Sequence, residues 1–111
     1  MKFDVKEKDG ATILTIKERK IDAAVSGELK AEFLVLAKPK ATGKLIVDLK
    51  AVEFCDSSGL SALLIADRTM KAHGGTVHLV NAHKKIVDLL KMSHLDHVFN
   101  FHKTVAEAMK A

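Results

Sequence analysis

The sequence predicts one α/β domain, residues 1–111, built on a mixed sheet of four to five strands with an N-terminal β-hairpin and about four helices packed on it. Asp9-Gly10 separates two segments of strand character, and this pair is typical of a hairpin turn. Residues 45–49 are almost continuously apolar, as in a central strand covered on both faces. After the hairpin, helical and strand patterns alternate, which predicts parallel strands joined by right-handed crossovers.

The first half of the chain should contain the hairpin, an irregular connection and one helix. Residues 2–8 and 11–17 are the expected strands, and residues 18–25 are polar without a repeat. The apolar residues of the strands are Phe3, Val5, Ile13 and Ile16. Ser26 is expected to cap the first helix, which Pro39 and Gly43 should end. The predicted buried face of this helix consists of Leu29, Phe33, Leu36 and Ala37.

A second helix is expected from Ser57 to His73, ended by Gly74-Gly75. Its core side is predicted to carry Leu60, Leu63, Ala66 and Met70. Another side carries Ser58, Ser61, Ile65, Arg68 and Ala72. Ile65 and Ala72 are apolar on this otherwise polar side. They are either ordinary scattered surface residues or part of a protein-binding surface, and the pattern favours neither reading.

The last third of the chain should hold two further strands and two further helices. Residues 76–80 and 98–101 have strand character, and Asn81 is expected to cap the third helix. The inward residues predicted for that helix are Ile86, Val87, Leu89 and Leu90. The final helix is indicated by Val105, Ala106 and Met109.

Composition argues against several classes of protein. The net charge is +4, but Lys and Arg are spread along a chain without Trp or Tyr, so we expect no nucleic-acid partner. No apolar run is long enough for a membrane span, and residues 1–7 lack the apolar core of a signal peptide, so we expect a cytoplasmic protein without membrane insertion. The single cysteine, Cys55, cannot form an internal disulfide and fits a reducing compartment.

Six histidines raise the question of a metal site. His94 and His97 are three residues apart and His73 and His78 five apart, and neither pair belongs to a zinc-binding motif. The sequence also lacks the glycine-rich loop of a nucleotide-binding enzyme. We therefore expect neither a metal nor a cofactor.

The turn Asp56-Ser57-Ser58-Gly59 is the best candidate for a functional site, since a buried strand becomes a helix there. Asp and Ser are common helix caps, which is the simplest explanation of the turn. A helix N-terminus also favours an added phosphate, so the turn could be a phosphorylation switch. A nucleophilic serine would need an oriented base. No histidine is singled out for that role, so catalysis by Ser57 is not expected.

Residues 46–60, Ile-Val-Asp-Leu-Lys-Ala-Val-Glu-Phe-Cys-Asp-Ser-Ser-Gly-Leu, closely resemble the STAS domain of the anti-sigma-factor antagonists. Gly74-Gly75 before a strand and residues 91–95, Lys-Met-Ser-His-Leu, resemble the same family. The resemblance extends over nearly the whole chain. It implies the STAS fold and a non-enzymatic partner-switching regulator of bacterial transcription.

In that family the unphosphorylated antagonist binds an anti-sigma factor that is also a serine kinase, and a sigma factor is released. Phosphorylation breaks the complex, and a PP2C-type phosphatase restores the antagonist. The resemblance implies Ser57 as the phosphoacceptor, with Ser58 as the alternate, and a monomer or weak dimer. Ile21-Asp22 resembles a family Leu-Asp pair near the phosphorylation loop. The expected partner surface comprises Asp22, Asp56, Ser58, Gly59, Ser61, Ile65 and Arg68.

Three departures from the family pattern concern the partner and one helix end. Glu18-Arg19-Lys20 stands where a Gly is usual, and Ser61 where a Gly is frequent. His94 replaces the Gly that usually ends the third helix, so it should adopt a strained, helix-ending conformation. Other functions remain open: a STAS module that scaffolds another signalling complex or acts with a transporter, or a small hydrolase or ligand-binding protein that uses the Ser57 turn.

Overall fold

The chain opens with the predicted hairpin. The computed structural model describes residues 1–36 and 43–111, and strand β1 (Phe3–Lys8) pairs antiparallel with β2 (Ala11–Ile16). Asp9 and Gly10 both have positive φ angles, 49° and 79°, which a two-residue turn between right-twisted strands requires. The hairpin prediction is therefore confirmed.

Over residues 1–36 and 43–111, three further strands extend the sheet: β4 (Lys44–Asp48), β6 (Thr76–Val80) and β7 (Asn100–His102). The strand order is β1-β2-β4-β6-β7, and every pair after the hairpin is parallel. The prediction of a mixed sheet with four to five strands is confirmed, since this sheet has five strands. Parallel pairing arises because each of these strands returns through a helix.

In the described part of the chain, four helices cover the sheet: α1 (Ala23–Leu36), α2 (Ser57–Ala72), α3 (Lys84–Met92) and α4 (Val105–Lys110). The first three share the main core, where Phe33, Leu63 and Leu90 are almost fully buried. Helix α4 lies against the opposite face through Ala108, which packs with Ile46 and Val80. The sheet is thus covered on both faces, as the apolar run in β4 predicts. The expected positions of Ala37 and Pro39 lie outside the described residues.

The predicted caps of α1 and α3 are wrong. Helix α1 begins three residues before Ser26, because Asp22 Oδ1 accepts the Ala24 N–H at 3.0 Å and the Asp22 carbonyl accepts the Ser26 N–H at 2.9 Å. Ser26 is instead buried within the helix. Asn81 has a φ of 56° and donates its side-chain amide to Asp48 Oδ1 at 3.1 Å, so this amide is not directed at α3. The residue at the N-cap position of α3 is His83.

Two other expectations need correction. Residues 18–25 are not irregular throughout, since they contain β3 (Lys20–Ile21), which pairs parallel with β5 (Phe54–Cys55) in a separate two-stranded sheet. Both strands are two residues long and too short to produce a periodic pattern. The last strand begins at Asn100 rather than at Val98, and Phe99 is buried just before it.

The ends of α2 and α3 use the same hydrogen bonds with different residues. After α2, the Gly75 N–H donates to the Met70 carbonyl at 2.8 Å, and Gly74 has a φ of 75°. After α3, the Leu95 N–H donates to the Leu90 carbonyl at 2.8 Å, and His94 has a φ of 58°. The expectation for His94 is confirmed. A side chain in this left-handed conformation costs about 1 kcal/mol relative to glycine.

His78 and His102 form a stacked pair on the α4 face of the sheet, which the sequence analysis did not predict. Their ring centroids are 5.1 Å apart, and His78 Nδ1 lies 3.0 Å from His102 Nε2. His78 Nε2 lies 2.9 Å from the Thr76 hydroxyl. Burial, together with the nearby charges of His102 and Lys44, lowers the pKa of His78 to about 4.

The neutral, buried His78 is expected to make the fold sensitive to acid. Because the folded pKa of about 4 lies below the unfolded value, the unfolded chain binds the proton more readily. The contribution of His78 is complete above the unfolded pKa of about 6.5 and is lost as the pH falls towards the folded pKa. We expect the free energy of unfolding to fall by about 1–2 kcal/mol from this group. Urea unfolding at both ends of this pH range measures it.

His78→Gln provides the comparison, since glutamine does not titrate and keeps hydrogen-bonding groups at the position. The wild type should lose more stability on acidification than this variant does. His73→Gln, at an exposed position, should behave like the wild type. An equal loss in the wild type and His78→Gln would contradict the assignment.

Candidate functional site

Asp56 caps α2 and fixes the turn that follows β5. Its Oδ1 atom accepts the backbone N–H groups of Ser58 at 2.9 Å and Gly59 at 3.1 Å, and the Ser58 hydroxyl at 2.6 Å. The Ser58 hydroxyl and then the Gly59 N–H hold the pKa of Asp56 below its ordinary value, so the carboxylate is charged at neutral pH. The capping interpretation of the turn is confirmed.

The two serines of the turn differ in environment. Ser58 is half-buried and its hydroxyl is donated to Asp56 Oδ1. Ser57 is exposed at the first position of α2, and among the described residues its hydroxyl has no hydrogen-bond partner. The Ser57 carbonyl accepts the Ser61 hydroxyl at 3.1 Å, one turn along the helix. Ser57 is therefore the serine whose oxygen a second protein can reach.

Gly59 is required by the close approach of α2 to β3. A Cβ atom at this position would lie 2.5 Å from the Ile21 carbonyl oxygen and 2.5 Å from Cys55 Sγ. Real Cβ atoms do not approach so closely, and the Ile21 carbonyl is itself held by the Asp56 N–H at 3.2 Å. Gly59 is thus buried under the turn and lets the helix start against the neighbouring strand.

Cys55 lies buried directly before the turn, 4% exposed. Burial, with a smaller effect from the Asp56 carboxylate, raises the pKa of its thiol to about 11. The thiol is protonated at neutral pH and packs as a small apolar group. It is a structural residue of the site rather than a nucleophile.

The two-stranded sheet brings the start of α1 beside the start of α2. The Arg19 carbonyl accepts the N–H groups of Glu53 at 2.7 Å and Phe54 at 3.0 Å. The strands end at Ile21 and Cys55, so Asp22 and Asp56 follow at the same edge and cap neighbouring helices. The Ala23 N–H contributes to the lowered pKa of Asp56, which reflects this proximity. Ile21-Asp22 therefore lies next to the serine turn.

Helix α2 presents the other predicted residues on one side. Ser61 and Arg68 are exposed and Ile65 is half-buried, whereas the predicted core residues Leu60, Leu63, Ala66 and Met70 are buried. The division of the helix into a core side and an accessible side is confirmed. The predicted surface residues other than Gly59 are at least partly accessible.

Phe54 is a surface residue that the sequence analysis missed. Its side chain is 52% exposed two residues before Asp56, and beside it Arg19 Nε lies 2.5 Å from Glu53 Oε2. This arginine holds the pKa of Glu53 below its ordinary value. The exposure of Phe54 has no signal in the sequence pattern, because the residue is apolar like its buried neighbours Val52 and Cys55. An exposed aromatic ring of this kind is typical of a contact surface.

Within residues 1–36 and 43–111, no group of three or more His, Cys, Asp or Glu residues is arranged to hold a metal ion. Over the same residues, none of the helices combines the length and the apolar character that crossing a membrane requires.

Three comparisons with known proteins agree on one family. A curated relative from Thermotoga maritima, a proposed anti-sigma factor antagonist, is 28% identical over 71 residues, which are 64% of this chain and 63% of that protein. The crystal structure of a proposed anti-sigma factor antagonist from the same organism has a TM-score of 0.82 and 26% identity, covering 97% of this chain and 92% of that chain.

SpoIIAA, an anti-sigma factor antagonist of Bacillus, has been solved in unphosphorylated and phosphorylated forms with TM-scores of 0.82 and 0.75. Each form covers 98% of this chain, with 94% and 97% of the respective SpoIIAA chain, and the identity of 19% supports a likeness of fold alone. The family model of the STAS domain matches residues 2–108. The chain therefore belongs to the STAS-domain family.

Proposed function

We propose that this protein is an anti-sigma factor antagonist that binds an anti-sigma factor with serine kinase activity and is inactivated by phosphorylation at Ser57. The observation that carries the proposal is an exposed serine on the first turn of α2, beside a carboxylate that fixes the turn. Anti-sigma factor antagonists among the relatives support the role. A protein of the same fold that has been solved with phosphate attached supports the switch.

The choice of Ser57 over Ser58 rests on accessibility. Phosphorylation of Ser58 would replace the hydroxyl that donates to Asp56 at 2.6 Å with a dianion facing that carboxylate. Ser57 is exposed, and its modification leaves the three hydrogen bonds to Asp56 in place. The positive end of the helix dipole at the start of α2 favours the added charge. Ser58 is therefore assigned to the turn and Ser57 to the kinase.

The partner surface comprises the accessible side of α2 and the neighbouring start of α1. Ser61, Ile65 and Arg68 supply the helical part, and the accessible edge of Asp22, Asp56 and Ser58 supplies the loop part. Gly59 contributes by its small size, since it sets how closely the two parts approach. Phe54 extends the same surface with an exposed ring.

The switch acts through charge at the centre of this surface. A phosphate adds about −1.5 to −2 charges and stands beside the ionised Asp56. A partner that fits the neutral serine must then accommodate a bulky, concentrated negative charge. Loss of about 3 kcal/mol of complementarity weakens binding roughly a hundredfold. The helix N-terminus tolerates the phosphate, so the domain itself keeps its fold.

In this scheme the domain is a cytoplasmic binding module and not an enzyme. Asp56 Oδ1 already accepts three hydrogen bonds, which supports a capping role over that of a general base for Ser57. A separate kinase adds the phosphate, and a PP2C-type phosphatase removes it. The protein acts as a monomer or weak dimer.

The phosphoacceptor is tested by incubating the wild type, Ser57→Ala and Ser58→Ala with the anti-sigma kinase of the host and labelled ATP. We expect label in the wild type and in Ser58→Ala, and its loss in Ser57→Ala, because only Ser57 is accessible. Mass spectrometry of the labelled protein locates the phosphate. Full labelling of Ser57→Ala would contradict the assignment. A wild type that binds the kinase without being labelled would contradict the switch while leaving the antagonist role standing.

A further inference from the structure

A cleft with a volume of about 620 Å³ opens at the carboxyl edge of the sheet, and it shares no lining residue with the Asp56–Gly59 turn. This volume lies within the range of about 300–1,000 Å³ that is typical of small-molecule sites. The cleft forms because α3 follows β6 onto one face of the sheet, whereas α4 follows β7 onto the other. Chain segments that diverge at the carboxyl ends of parallel strands leave a crevice where ligands commonly bind.

Cationic and hydrogen-bonding side chains line one part of the cleft. Lys50 follows β4, Lys103 follows β7, and the half-buried His102 is the last residue of β7. Among the described lining residues the only acid is Glu107, and its Oε2 accepts the Lys103 backbone N–H at 3.1 Å. The described lining therefore contains two lysines and one acid, and the carboxylate of that acid is held against the backbone. This part of the cleft favours an anion.

The other part of the cleft is apolar. Ala82 precedes α3, Val87 lies within α3, and Phe101 is the middle residue of β7. All three are half-buried, so each still has apolar surface that a ligand could cover. The Phe101 ring offers a flat surface against which an aromatic group can stack. An apolar wall beside convergent polar groups is the usual composition of a small-molecule site.

We propose that this cleft binds a small organic anion, a carboxylate or a phosphate monoester that carries an aromatic or branched apolar group. Lys50 and Lys103 hold the anionic end, beside Asn81 and His102, whose side chains also contact Asp48 and His78. Phe101 and Val87 contact the apolar end. The site is separate from the serine turn and would give the domain a second input.

The test is an amide-resonance NMR titration of the whole protein with phenyl phosphate and with benzoate. We expect saturable shifts centred on residues 50, 81–82, 87 and 101–103, with a dissociation constant on the order of 1 mM for molecules of this size. The tighter of the two probes identifies the anionic group. Inorganic phosphate and benzyl alcohol each supply only half of the ligand and should bind about tenfold or more weakly.

Two double variants with the same change in charge separate the cleft from general attraction of anions. Lys50→Gln/Lys103→Gln should weaken the binding of phenyl phosphate at least about tenfold. Lys6→Gln/Lys8→Gln, on strand β1 at the other edge of the sheet, should leave the affinity within about twofold. The proposal would be overturned if neither phenyl phosphate nor benzoate saturated the protein by about 10 mM, if all four probes gave an equal response, or if both double variants weakened binding equally.

Discussion

Gly59→Ala is expected to lower the free energy of unfolding by about 3 kcal/mol, a large effect for one methyl group. The added Cβ would stand 2.5 Å from the Ile21 carbonyl oxygen and 2.5 Å from Cys55 Sγ. The carbonyl cannot yield freely, because it accepts the Asp56 N–H at 3.2 Å. Relief of the clash must therefore separate α2 from β3 or distort the serine turn. Urea unfolding followed by circular dichroism measures the loss.

Gly27→Ala is the matched control for this substitution. Gly27 lies within α1, and a Cβ there would meet nothing within 4 Å. Alanine should raise the free energy of unfolding by about 0.5–1 kcal/mol, since glycine is a poor helix former. The same chemical change thus has opposite signs at the two positions. A cost below about 0.5 kcal/mol for Gly59→Ala would mean that the contact between α2 and β3 is easily rearranged.

Ser57→Asp is expected to weaken binding of the anti-sigma factor about a hundredfold, with little change in stability. The new carboxylate lies at the helix N-terminus, where negative charge is favourable, and beside Asp56, which opposes it. The effect on folding should therefore stay within about 1 kcal/mol. The effect on the partner is larger, because the charge stands on the contact surface. Calorimetry or surface plasmon resonance with the isolated anti-sigma factor measures the affinity.

Ser57→Asn separates charge from size in this experiment. Asparagine has nearly the shape of aspartate without its charge, so it should retain most of the affinity if the switch is electrostatic. Ser57→Ala should bind as tightly as the wild type. Equal weakening by asparagine and aspartate would assign the switch to bulk instead of charge. Wild-type affinity in Ser57→Asp would contradict the placement of Ser57 in the interface.

The strands and helices with strong patterns could be predicted from the sequence. The hairpin, the apolar run of β4 and the two faces of α2 each depend on the spacing of nearby residues, which is visible in the sequence itself. The capping role of Asp56 also follows from local order, since the carboxylate and its N–H donors lie within three residues. The serine turn can be located from the same local order.

The missed features depend on residues that are distant in sequence. Strands β3 and β5 form only by pairing with each other, and paired residues are 34 positions apart in the sequence. Neither strand has a periodic pattern of its own. His78 and His102 meet only because β6 and β7 are adjacent in the sheet. The residue types of Ser26 and Asn81 favour helix caps, but Asp22 caps the first helix and Asp48 holds the side chain of Asn81. Tertiary contacts override local preference at these positions.

The two-stranded sheet also couples the opening motions of two segments, the one around β3 and the one that leads from β5 into the serine turn. The N–H groups of Glu53, Phe54 and Asp56 all donate to carbonyls of Arg19 and Ile21. Neither segment can open without releasing hydrogen bonds of the other, so the two should exchange their protected amide hydrogens as one cooperative unit. A protein that grips either segment would then slow the opening of both. A binding partner would therefore meet the surface around Ser57 as one cooperative unit, although 34 residues separate its two segments along the chain.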